Sequence, residues 1–204
     1  MSARQAHWDN IYATKPANSV SWFQASARPS LEMIRATGIE RAEPVIDIGG
    51  GASVLADELL HDGFQDVTVL DIAAPALKVC HDRLGSRAGL VHWIVADVLT
   101  WKPQRSYGLW HDRAAFHFLT EPQDRLTYRD TVEHTLTPGG WLILATFAPD
   151  GPEKCSGLPV HRWSPEGLAA EWGDGFQLIE SLREEHSTPW GAPQSFTWSR
   201  FRKL

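Results

Sequence analysis

The chain has 204 residues, 43% hydrophobic and 22% charged, which excludes wholesale disorder and suits one generous globular domain. Its longest apolar stretches, such as the one around Trp141, are strand-sized, and the first ten residues lack the apolar core of a signal peptide, so no membrane association is expected. A formal net charge of −6 disfavours nucleic acid or an anionic membrane as partner, because both ask for a basic face. Two cysteines, Cys80 and Cys155, are too few for a disulfide framework and lack zinc-finger spacing, so a reduced, cytoplasmic protein without a metal site is expected. Of the ten tryptophans most are expected in the core; Trp8 and Trp22 lie outside any periodic segment and stay open as ligand-facing candidates.

Residues 1–29 read as a polar, irregular leader dotted with aromatics and broken by Pro16 and Pro29. A single domain over 30–204 follows it. Residues 30–37 carry apolar side chains at helical spacing and stop at Gly38. From Val45 the period changes, and 45–48 reads as a short buried strand running into Gly49, Gly50 and Gly51. A helix over 52–60, a strand over 67–71, a helix over 75–84 with Pro75 in its first turn, and strands over 91–97 and 108–112 come next. Residues 122–136 read as a helix stopped by Pro138, Gly139 and Gly140, with a strand over 141–147 beyond. Ser164 caps a further helix, and 176–184 and 195–202 are strands with no helix between them. Strands alternating with helices call for a parallel sheet covered on both faces; the last two strands fit an antiparallel hairpin at its edge.

The strongest local signal is Val45-Ile46-Asp47-Ile48-Gly49-Gly50-Gly51-Ala52-Ser53. A strand that turns into a helix through glycines lets a ligand approach the backbone, with helix amides pointing at it. Asp71, twenty residues after Gly51 and at the end of the second strand, is placed to hold both ribose hydroxyls. A dinucleotide site shares this plan, but Val54 falls where the dinucleotide spacing ends in a small residue, which weakens a hydride-transfer reading. Asp47 repels a pyrophosphate and suits an ammonium group, and a third acid, Asp97, ends the third strand.

This combination resembles the class I S-adenosylmethionine-dependent methyltransferases over nearly the whole chain. The resemblance implies a doubly wound, Rossmann-like seven-stranded sheet with an antiparallel last strand. It implies that Asp47, Gly49, Gly50 and Gly51 wrap the methionine part of S-adenosylmethionine, with Ser53 nearby. It further implies that Asp71 with Ile72 binds the ribose and Asp97 with Val98 the adenine. Tyr107-Gly108 stands where many members have an aromatic-Asp pair, and neither an Asn-Pro-Pro-aromatic motif nor a Pro-Cys pair of the nucleic-acid methylases is present. Within the fold, Trp8-Asp9-Asn10-Ile11-Tyr12 and Ser19-Val20-Ser21-Trp22-Phe23 look like the leader of thiopurine-type small-molecule methyltransferases, which closes over the cofactor; some protein-lysine methyltransferases have a similar one. Trp22 is thereby a cofactor candidate.

Asp112 and Arg113 close the fourth strand, where doubly wound folds bind ligands, and are read either as an ion pair or as substrate-facing. His117 stands where many small-molecule members carry a histidine, and is the candidate base, with Asp112 next. Phe23, Phe118 and Phe147 are candidate substrate walls, and Arg162 a candidate contact for an anionic substrate. His111 and Cys80 read as structural, Cys155 as a bystander in a flexible loop. A histidine beside aromatics, with no acidic cluster for a lysine, favours methylation of a small thiol or sulfide. A protein-lysine N-methyltransferase and a non-catalytic cofactor-binding scaffold remain the alternatives.

Overall fold

The computed structural model describes residues 2–204. β1 (Val45–Ile48) and β2 (Val67–Asp71) are buried along their whole length, as apolar runs sandwiched between helices must be. Both lie in a seven-stranded sheet of order β3-β2-β1-β4-β5-β9-β8. Here β3 is Val91–Val95, β4 Tyr107–Arg113, β5 Leu136–Phe147, β8 Phe176–Ser187 and β9 Pro193–Lys203. The first five strands are parallel, and β9 runs antiparallel between β5 and β8, so the terminal strands form the expected edge hairpin.

Helices cover both faces. On one, α2 (Arg28–Arg35), α3 (Leu55–His61) and α4 (Ala74–Leu84) bury Ile34, Leu59 and Leu77 against Val45, Val69 and Leu109. On the other, α5 (Pro122–Thr135) and α6 (Pro165–Trp172) bury Tyr128, Val132 and Trp172 against Ile46, Trp110 and Leu144. Trp110, Trp172 and Trp198 are fully buried core residues. Ser164 caps α6 by accepting from Gly167 N at 3.0 Å.

Several elements differ from expectation. The leader is not irregular: α1 (Ala3–Thr14) occupies it, capped by Ser2, whose Oγ accepts from Gln5 N at 3.1 Å. β3 ends at Val95, two residues short of Asp97, and β5 starts at Leu136, which pairs with Tyr107, so Pro138 to Gly140 lie inside the strand. The loop after β5 holds a small hairpin of β6 (Lys154–Cys155) and β7 (Leu158–Pro159).

Candidate active site

The C-terminal ends of β1, β2 and β4 meet around the glycine turn. Gly49 has φ +67°, and a Cβ there would stand 3.1 Å from Ala115 Cβ. At Gly50 a Cβ would collide with the Asp47 carboxylate, and at Gly51 it would come within 2.5 Å of Asp71 Oδ2. The absence of side chains in the turn therefore lets both carboxylates sit against its backbone. Gly51 itself lies behind the turn, outside the clefts that the other two glycines line.

Two connected clefts open from this turn. The first spans about 780 Å³ with its open mouth counted in. Asp71, Ile72, Asp97 and Val98 form one wall, Ala114, Ala115, Phe118 and Leu119 the other. Asp71 Oδ1 accepts from Ala73 N at 2.8 Å, yet burial, with Asp47 and Asp9 adding repulsion, pushes its carboxyl up to about 7. Asp97 Oδ1 accepts from Leu99 N at 3.1 Å, which turns Oδ2 toward Arg4.

The second cleft spans about 550 Å³ with its opening counted in and contains Asp47, Gly50, Ser53, Phe23 and His111, sharing Tyr12, Trp22, Gly49 and Arg113 with the first. Asp47 and His111 are register partners on β1 and β4, and Asp47 Oδ1 lies 2.7 Å from His111 Nδ1. The other ring nitrogen, Nε2, is buried without a partner. Sequence reasoning missed this pairing of His111 with Asp47. Its signal was the neighbouring register with Asp47, which no single strand displays. Ser53 Oγ accepts from Leu55 N at 3.1 Å at the start of α3.

Arg113 stands at the joint of the two clefts. Its Nη1 donates to Trp22 O at 3.0 Å, and its guanidinium carbon sits 4.8 Å from the centre of the Phe196 ring. Its Nε and Nη2 are buried without a partner, and burial lowers its pKa to about 10. It does not form the ion pair with Asp112 that was one of its two readings.

The leader roofs both clefts. Trp8 packs edge-on against Trp22 at 5.7 Å and Phe118 at 5.1 Å between ring centres. Trp22 Nε1 donates to Tyr12 Oη at 3.1 Å, and Arg4 reaches Asp97 and Asp124 at 3.3 and 2.8 Å. Trp8 and Trp22 thus both face the first cleft.

Besides Gly51, four expected site residues lie elsewhere. Asp112 points to the opposite sheet face, since successive strand residues alternate and Arg113 takes the cleft side. Its carboxylate accepts from Tyr128 Oη at 2.6 Å, Ala115 N at 2.8 Å and Phe116 N at 3.0 Å, and burial raises its pKa to about 6. It organises the loop after β4, which speaks against its expected role as reserve base. His117 is fully buried between Phe118 and Phe147, and burial together with Arg113 lowers its pKa to about 3. It lines neither cleft, which speaks against its expected role as base. Phe147 is wholly inside the core, and Arg162 is exposed, donating to Gly151 O at 3.2 Å. Cys155, read as a bystander, is buried in the wall of the first cleft, with burial raising its thiol to about 12.

The sheet order, the antiparallel β9 and the glycine turn at the carboxyl ends of the strands define the class I S-adenosylmethionine-dependent methyltransferase fold. Residues 45–140 match the family described as "Methyltransferase domain". The chain is 28% identical over 107 residues to malonyl-[acyl-carrier protein] O-methyltransferase 2 of Ilyobacter polytropus, covering 52% of this chain and 40% of that one. It is 27% identical over 151 residues to trans-aconitate 2-methyltransferase of Agrobacterium fabrum, covering 73% and 54%. The chain thus spans about half the length of the curated relatives it matches. Among solved structures, N-methyltransferase NodS of Bradyrhizobium japonicum with S-adenosyl-L-homocysteine superposes with a TM-score of 0.74 at 15% identity, covering 96% of this chain and 97% of that one.

Proposed function

We propose that the protein is an S-adenosylmethionine-dependent methyltransferase acting on a small molecule, with a small thiol or sulfide as its preferred acceptor. The observation that carries this reading is the gathering of Asp47, Asp71 and Asp97 with the glycine turn along two joined clefts under an aromatic roof. The residues fit the cofactor. Asp71 is a desolvated acceptor suited to ribose hydroxyl donors, and Asp97 is suited to the adenine amine. Asp47, with His111 held against it, is suited to the cofactor's ammonium group. The tryptophan faces of the roof tolerate a sulfonium, and the carboxylates offset its charge.

The bound cofactor supplies a methyl group on a sulfonium leaving group, so the chain has to align the acceptor and exclude water. Trp8, Trp22 and Phe118 exclude water from the first cleft, and the second cleft holds the methionine end. A buried guanidinium, that of Arg113, stands at the joint of the two clefts. A second reading, O-methylation of a small carboxylate, is favoured by the same guanidinium, and one curated relative is named an O-methyltransferase.

The test is calorimetry with S-adenosylmethionine, then a panel of small thiols, carboxylates, phenols and amines followed by S-adenosylhomocysteine release. Asp71→Ala should weaken binding at least tenfold, since each ribose bond to a charged acceptor contributes about 1.5–3 kcal/mol. Preference for NAD, or normal binding by the variant, overturns the assignment. Tight cofactor binding with no acceptor methylated favours the scaffold alternative.

A further inference from the structure

Every buried arginine nitrogen that lacks a partner has lost its water shell without replacing it, a cost that a folded chain normally avoids by supplying a carboxylate. Arg113 has two such nitrogens, Nε and Nη2. The acid that most favours its charge, Glu184, is already committed: its Oε2 accepts from Trp198 Nε1 at 2.7 Å and its Oε1 from Gln24 Nε2 at 3.3 Å. Among the described residues no acid forms an ion pair with Arg113. The guanidinium is nonetheless held in place, by Trp22 O through Nη1 and by the Phe196 ring beneath it. Fixed at one side and unpartnered at the other, it keeps two parallel N–H groups out of solvent beside the joint of the two clefts, so an acceptor reaches them by a small shift of the roof or of the guanidinium.

Resting on the methyltransferase reading above, we propose that Arg113 is the receptor for the acceptor molecule, and that the acceptor is a small apolar body carrying one anionic group, a thiolate or a carboxylate, docked on Nε and Nη2. The surrounding wall fits such a body. Trp8, Trp22 and Phe118 supply apolar faces, and Cys155, protonated at neutral pH, adds a small uncharged surface. The chemistry balances without a base. The anion's lone pair forms the new bond to the methyl carbon, the carbon–sulfur bond breaks, and its electron pair stays on sulfur. An anion and a sulfonium become two uncharged groups, and no proton moves. Both Asp112 and His117 standing outside the clefts is then expected, because an acceptor that arrives ionised has nothing to give up. A thiol gains from the same contact, since a neighbouring guanidinium favours its thiolate.

The test uses matched one-ring probes on the full chain saturated with S-adenosylhomocysteine: benzoate and thiophenolate as anions, benzamide as neutral isostere and benzylamine as cation. Calorimetry should show both anions binding at least tenfold more tightly than benzamide, with benzylamine weakest. In Arg113→Met the anion preference should vanish in a variant that still binds S-adenosylhomocysteine, and Arg113→Lys should retain part of the preference. With S-adenosylmethionine, release of methyl phenyl sulfide or methyl benzoate tells which anion is turned over. Absence of an anion preference in the wild type overturns the proposal whether or not the variants fold. So does a variant that loses S-adenosylhomocysteine affinity but keeps the preference, because Arg113 then holds the cofactor's own carboxylate. If S-adenosylhomocysteine does not bind the wild type at all, the methyltransferase reading fails at the first titration, before any probe is added.

Discussion

Arg4 on α1 donates to Asp97 Oδ2 at 3.3 Å, so the residue suited to the adenine amine is also the one that ties down the roof. The pair is partly exposed, which limits its worth to about 0.2–1 kcal/mol. A ligand seated between roof and floor adds contacts to both, and closure and binding are then linked. Arg4→Ala should weaken S-adenosylhomocysteine binding by about 2–5-fold in calorimetry. Limited trypsin digestion at Lys15 should be slowed by S-adenosylhomocysteine in the wild type. Equal digestion with and without ligand would leave α1 as ordinary packing.

Asp71 yields a pH prediction. Burial first, then Asp47, lifts its carboxyl from the usual range to about 7. Such an acid contributes stability below its unfolded value near 4 and loses it as pH rises through about 7. Ribose hydroxyls donating to the carboxylate favour its charged form, so its pKa falls on binding and a proton leaves. Titrating S-adenosylhomocysteine at pH 6.5 in buffers of different ionisation enthalpy should reveal net proton release, and affinity should rise from pH 6 to 8. Asp71→Asn should release no proton. Proton uptake by the wild type would contradict the ribose role.

The alternation of strands and helices was legible because β1 and β2 are buried on both faces and read as unbroken apolar runs. α1 was not, because Ile11 is its one buried residue and the helix rests on aromatic edges rather than on an apolar stripe. Ser2 and Gln5 at capping-box spacing were the signal that a helix begins there. In the site, the acids and glycines could be read because each ends a strand or forms its turn. The choice between Asp112 and Arg113 could not, because it depends on which sheet face β4 turns toward the glycines. Cys155 reaches the cleft through the β6–β7 hairpin, whose two-residue strands carry no periodicity.

Asp112 and Tyr128 give a stability prediction. Tyr128 Oη donates to Asp112 Oδ2 at 2.6 Å and accepts from Trp110 Nε1 at 2.8 Å, all out of solvent. Tyr128→Phe removes one bond to a buried carboxylate and leaves Trp110 Nε1 unpaired. The expected loss is about 1.5–3 kcal/mol in urea unfolding, with S-adenosylhomocysteine affinity of the folded fraction little changed. A large loss of affinity at unchanged stability would return Asp112 to the site.

His117 supplies the last prediction. Burial, then the charge of Arg113, lowers its pKa to about 3, against about 6.5 in an unfolded chain. Above pH 6.5 both states hold it neutral and it contributes no slope. As pH falls from there toward 3 the unfolded chain takes up the proton first, so stability is lost by about 1.36 kcal/mol for each pH unit. His117→Asn places an amide oxygen near the position of Nδ1, which accepts from Phe147 N at 3.4 Å, and removes the titration. The variant should be less stable than wild type at pH 8, because it is smaller and leaves a void, yet its stability should decline less steeply between pH 6.5 and 4. Turnover of its folded fraction on the best anionic acceptor should stay within about threefold of wild type across pH 7–9. A loss of ~10²–10⁴ in turnover at unchanged cofactor affinity is what a positioned base would cause, and would restore His117 to that role.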